Sequence, residues 1–222
     1  MLDVFMIAYF GIILTGFLVG LSVYRKTSGG MRMIILYLGA VFLGELIAHI
    51  LKITVRHNLL IHNITPGIFS FCLGMFFYHS IQDQTLKKLA IPSFMLLIIF
   101  AIINTNFIQG WNIYPTYWFN ASVMLYIFWS AMLFLEMLDR QPAHTNIFKN
   151  PEFISAMAIL WFGLASFLFY LLYNVFSKNK ISTSLLVNSH KFSNIIFYSM
   201  LLSAIIFDKL SIRSCQKSLS VS

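Results

Sequence analysis

The stretch Met33–Leu51 reads MIILYLGAVFLGELIAHIL, nineteen residues whose apolar character is interrupted by one carboxylate, Glu45, and one imidazole, His49. A helix rises 1.5 Å per residue, so about 20 mostly apolar residues cross the roughly 30 Å hydrocarbon of a bilayer. This stretch has that length. Six further apolar runs flank it: Leu2–Tyr24, Thr65–Ile81, Leu89–Asn106, Thr116–Leu138, Pro151–Phe176 and Lys191–Phe207. Backbone crossing hydrocarbon must satisfy its own N–H and C=O groups. The runs do not alternate apolar and polar residues as barrel strands do. Together they predict an all-α, polytopic membrane bundle of seven transmembrane helices over residues 1–208, followed by a polar cytoplasmic tail at 209–222.

Composition supports this reading. Only 10% of the 222 residues are charged, against 59% hydrophobic and 17% aromatic, and the mean hydropathy is +0.82. Exposed apolar area on that scale would aggregate in water. The lipid bilayer is therefore the first partner. The net charge of +8 is spread in small groups between the apolar runs, a pattern that suits headgroup anchoring and not nucleic acid. Cys72 lies in an apolar run and Cys215 in the polar tail, which gives neither a disulfide framework nor metal-ligand spacing. The first run begins at Leu2 without a preceding positive charge and reads as a retained helix, not a cleaved signal.

Boundary residues divide the runs. Thr65-Pro66 and Asn150-Pro151 each place a capping side chain before a proline at the first helical position. Ser28-Gly29-Gly30 separates the first two helices, and Pro92 is expected in the first turn of the fourth. Gly16 and Gly20 form a small-xxx-small face, read as close packing inside the bundle, with a homo-oligomer as its other use.

With the N-terminus outside, ten Lys and Arg fall on the cytoplasmic side and five on the outer side. The positive-inside rule then favours N-out. In that orientation Glu45, His49, Asn104, Asn106, Trp118, Asn120, Tyr173, Asn174, His190 and Asn194 all fall in the outer half, with His57 and His62 in the adjoining loop. The inner half holds mainly His79 and Glu136. Ionisable residues within spans usually face the bundle interior or a cavity. Glu45 and His49 are four apart and share one helix face, as do His190 and Asn194. An outward-facing polar pocket follows as an expectation, with Glu45, His49, Asn104, Asn120, His190 and Asn194 as its candidate ligand-binding residues. No cofactor and no metal are expected, and no catalytic residue is assigned.

Four segments carry a resemblance: Ile103-Asn-Thr-Asn-Phe-Ile-Gln109, Asn150-Pro-Glu-Phe153, Trp161-Phe-Gly163 and His190-Lys-Phe-Ser-Asn194. Over about half its length the chain is similar to small seven-helix membrane proteins of Bacteroidota without assigned activity. The resemblance implies a bacterial inner-membrane protein, in a family sometimes encoded near two-component signalling genes. The third run departs from the pattern, with Thr65-Pro66-Gly67 leading to Cys72 in place of an acidic residue. The paired spacings also resemble those of seven-helix zinc amidohydrolases of the alkaline ceramidase and progestin-receptor type. Here, however, Glu45 stands in place of their serine and Asn194 in place of their last histidine.

Two function classes follow. One is a non-enzymatic sensor whose outer pocket biases helix positions read by a cytoplasmic or membrane signalling protein. The other is an intramembrane enzyme, metal-dependent and hydrolase-like, or a small transporter, working through Glu45, His49 and His190.

Overall fold

The computed structural model describes residues 4–56, 58–112, 114–140, 146–179 and 182–219. Its helices are α1 (Val4–Leu21), α2 (Gly29–Thr54), α3 (Leu59–Ser80), α4 (Gln84–Ile103), α5 (Thr116–Arg140), α6 (Pro151–Lys178) and α7 (Ser184–Leu219). A π-helical turn, Asn104–Ile108, extends α4, and a short 3-10 turn, Ile147–Lys149, precedes α6. No strand occurs among the described residues. The six helices α2 to α7 are long and apolar enough to cross a membrane, and the apolar stretch of α1, Phe5–Leu21, is shorter. Large apolar side chains such as Leu43, Ile53, Leu96 and Phe107 face outward. The chain has the build of a multi-pass membrane protein, with lipid taking the place of water at its surface.

Side-chain caps set several helix starts, because the first N–H groups of a helix lack partners within it. Ser28 Oγ accepts from the Met31 amide (3.3 Å), opening α2. Asp83 accepts from Thr85 and Leu86 (2.8 and 2.9 Å), opening α4. Asn150 accepts from Glu152 (2.9 Å) and Phe153 (3.4 Å), and Pro151 occupies the first position of α6 as the sequence indicates.

Three boundaries differ from those read in the sequence. Helix α3 begins at Leu59, so Thr65 and Pro66 lie inside it. The helix extends ahead of them, and the polar side chains there bond to its own backbone: Asn63 donates to Leu59 O (3.0 Å) and Thr65 to Ile61 O (2.8 Å). Pro92 lies in the interior of α4, since the Asp83 cap starts that helix earlier. There it removes the amide that would bond Lys88 O, a loss that neighbouring groups can offset in a membrane bundle. Finally, the segment expected as a polar tail from 209 continues α7 to Leu219. Its 36 residues measure about 54 Å at 1.5 Å per residue, well beyond the hydrocarbon thickness.

The helices form a ring in the order α1, α2, α3, α5, α6, α7 and back to α1, with α4 outside it against α3 and α5. Trp118 and Trp129 of α5 fasten α4 by donating to Leu97 O (3.1 Å) and Ser93 Oγ (2.9 Å). The core of the ring is fully buried and apolar, with Ile34, Leu38, Phe76, Ile159, Phe197 and Leu201 among its residues. Gly16 and Gly20 bring α1 against α2, where added Cβ atoms would stand 2.9 Å from Leu38 Cδ1 and 2.6 Å from Ile35 Cγ1. The small-xxx-small face is thus spent within the bundle.

Gly39 offers the reciprocal test, since its Cβ would stand 2.6 Å from the Phe17 ring while Gly11 has nothing within 4 Å. Overpacking a filled site costs about 1–3 kcal/mol. Gly39→Leu should therefore lower the thermal unfolding midpoint in detergent, and Gly11→Leu should leave it nearly unchanged.

Candidate functional site

The antiparallel run of helices brings one end of α1, the second half of α2, the first halves of α3, α5 and α7, and the second half of α6 to the same end of the bundle. At that end lies a cavity of about 160 Å³. Each helix supplies it with residues at helical spacing, since positions three or four apart share a face. From α2 come Tyr37 and Glu45; from α3, His62, Thr65, Phe69 and Leu73. Helix α5 gives Trp118, Phe119, Ser122 and Tyr126, α6 gives Phe162 and Tyr170, and α7 gives His190, Asn194 and Tyr198. Tyr9 of α1 and Tyr114, in the turn before α5, complete the lining.

Most of the wall is aromatic. The Tyr114 and Tyr170 rings lie nearly parallel, 6.3 Å apart, with their hydroxyls 3.1 Å from each other. Phe119 packs on Tyr170 at 4.6 Å. Burial raises the Tyr114 phenol above its ordinary range, so it stays protonated. Deeper in, the Tyr126 hydroxyl lies 2.8 Å from Ser70 Oγ. The Tyr9 ring meets Tyr198 edge-on at 5.2 Å, and Tyr198 in turn interacts with Tyr37. The Tyr9 side chain also interacts with the Glu45 carboxyl. The His190 ring stacks on Phe169 at 4.3 Å, and its Nδ1 is buried without a hydrogen-bond partner. His62 Nε2 lies 3.2 Å from Asn58 Nδ2.

A second cavity, of about 300 Å³, adjoins this one between α1, α2 and α7. Its lining includes Phe5, Met6, Phe10 and Lys191, and it shares Tyr9, Glu45 and Asn194 with the first. Those three residues form the partition between the chambers.

Of the residues expected in the pocket, the structure brings Glu45, His190 and Asn194 together on the cavity. His49 and Asn120 are half-buried and outside its lining. Asn104 is fully buried but serves the π turn, donating to Gln109 Oε1 (2.9 Å). Asn106 likewise bonds locally, to Ile102 O (2.8 Å) and the Trp111 indole (3.3 Å). His62 lies within α3 and lines the cavity, in place of the loop position read from the sequence. His57 and the side chain of Asn174 lie outside the described residues, as does that of Cys215. The cavity tyrosines went unread because Tyr is common at membrane interfaces. The available signal was that Tyr37, Tyr126 and Tyr198 fall in mid-run, where a phenol must find a polar partner.

The opposite end carries a polar cluster, of which the sequence suggested only His79 and Glu136. Thr27 donates to Asp208, and Ser28 donates to Glu152 Oε1 (2.6 Å). These bonds join the α1–α2 turn to α7 and α6. Glu136 accepts from the Gln82 amide (3.0 Å) and pairs with Arg140 (2.8 Å), tying the α3–α4 turn to α5.

Among the described residues no group of three His, Cys, Asp or Glu lies close enough to hold a metal ion. No family model matches the chain, and no curated protein or solved structure is significantly similar to it.

The cavity is testable by chemistry. Asn194→Cys should react with a small thiol reagent in the folded protein, whereas Ser155→Cys, fully buried beside Met31, should react only after unfolding.

Proposed function

We propose that this chain is a seven-helix inner-membrane protein of a bacterium, N-terminus outside, and that it works as a non-enzymatic sensor. A small ligand entering the outer cavity shifts the helices that line it, and a membrane or cytoplasmic signalling protein reads the shift at the opposite end. One observation carries this reading: the cavity and the polar cluster are built on the same helices. Glu45, His190 and Asn194 stand on α2 and α7, and Tyr170 on α6. At the other end Ser28, Glu152 and Asp208 close hydrogen bonds around α2, α6 and α7. A ligand that binds one arrangement of these helices more tightly than another therefore changes the strength of that closure.

The excess of Lys and Arg at the polar-cluster end supports N-out, now with Lys209 and Arg213 carried on the α7 extension. Helix α1, 18 residues and about 27 Å long, is taken as the seventh span because it packs between α2 and α7 as an integral stave of the ring. The resemblance to small Bacteroidota membrane proteins supports the inner-membrane location. The enzymatic alternative works through Glu45, His49 and His190, and of these Glu45 and His190 line the cavity while His49 does not.

Two measurements test the proposal. Cysteines at Ser28 and Ser182, both exposed, should be labelled by an impermeant reagent from the cytoplasmic and outer sides respectively; the reverse pattern would overturn N-out. For coupling, Asp208→Asn weakens the Thr27 bond about 21 Å from Asn194, taking 14 residues of α7 at 1.5 Å each. It should change the labelling rate of Asn194→Cys by about fivefold or more, the usual range of allosteric coupling. An unchanged rate in a stably folded variant would remove the sensor reading.

A further inference from the structure

The chemistry of the two chambers narrows the ligand class, an inference that rests on the sensor reading of the same site. Glu45 lies in the second half of α2, nine residues from its end, on the partition between the chambers. Its polar neighbour is the neutral Tyr9 hydroxyl, and no ion pair to it forms among the described residues. A carboxylate within a bundle carries a large desolvation cost unless it takes up a proton or meets a cation. The 160 Å³ chamber beside it holds no Lys or Arg. Its walls are the rings of Tyr37, Trp118, Tyr126, Tyr170 and Tyr198, whose electron-rich faces attract organic cations when water is excluded. That volume is close to that of a cavity holding one benzene-sized body, about 150 Å³.

We propose that the site takes an organic ammonium ion, its nitrogen at Glu45 and its body in the aromatic chamber. Asn194 stands on the same partition and supplies a neutral hydrogen-bonding group beside the nitrogen. The adjoining 300 Å³ chamber, with Phe5, Met6 and Phe10, accepts an apolar extension of the ligand. The ammonium group belongs either to a free amine or to a lipid headgroup, since the chemistry of recognition is shared.

The experiment uses the full chain in nanodiscs of phosphatidylglycerol and follows the thermal unfolding midpoint with three probes: phenethylammonium, the neutral 2-phenylethanol and the anionic 3-phenylpropionate. A ligand that binds the folded state raises the midpoint with concentration. Phenethylammonium should stabilise the protein and the other two should not. In Glu45→Gln its apparent affinity should fall about thirtyfold or more, as when one partner of a buried charge pair is removed. Glu45→Asp, which keeps the charge, should retain the preference for the amine if Glu45→Gln folds poorly. Repeating the titration with phosphatidylethanolamine in the nanodisc separates the sources: competition assigns the site to a lipid headgroup, and its absence to a free amine.

Equal stabilisation by the alcohol, an undiminished response in Glu45→Gln, or no stabilisation by the amine would each overturn the proposal. The coupling of Asp208→Asn to the labelling rate at position 194 is read without any ligand. The sensor reading and the ammonium assignment can therefore fail separately.

Discussion

Water is absent from the hydrocarbon core, and that constraint shapes everything else in this molecule. Each backbone amide and carbonyl must be satisfied within its own segment, so every span is a helix. The same absence governs polar side chains, many of which find partners on neighbouring helices within the bundle. Ser70 with Tyr126, Trp129 with Ser93, and Tyr114 with Tyr170 are the results. Hydrogen bonds thereby join helices that apolar contact alone would leave free to slide in lipid.

Close packing and polar pairing divide the work along the bundle axis. Toward the middle, glycines let α1 approach α2, and Phe76, Phe197 and Leu201 fill the interior. Toward either end the apolar filling gives way. At one end it leaves a tyrosine-walled chamber around Glu45, and at the other a closure of Thr27, Ser28, Glu152 and Asp208. A packed core between two polar ends transmits displacement well, because dense interiors deform as units and not locally.

Much of this was legible beforehand. Glu45 stands out because a carboxylate in a long apolar run has few places to go, and His190 and Asn194 stand out by their spacing. His49, Asn104 and Asn120 fall in the same half of the bundle, yet they do not share the cavity. Placement in one half of the bundle follows from position along a helix, whereas lining a cavity also depends on the exact level and rotation of each side chain; His49 shares the face of Glu45 but stands one turn nearer the helix end. The start of α3 was misplaced because Thr65-Pro66 has the pattern of a helix opening, whereas Asn63 and Thr65 bond back onto a helix that has already begun at Leu59.

The sequence alone therefore determined the class of structure, the approximate spans and the place of Glu45 within an apolar span. Those properties depend on transfer free energy, which accumulates residue by residue along the chain. Only the tertiary structure decided that six tyrosines converge on a chamber, that α4 stands outside the ring, and that α7 runs on past Asp208 to Leu219. Each of those outcomes depends on which helix faces which, a choice made by side-chain packing and hydrogen-bond partners far apart in sequence.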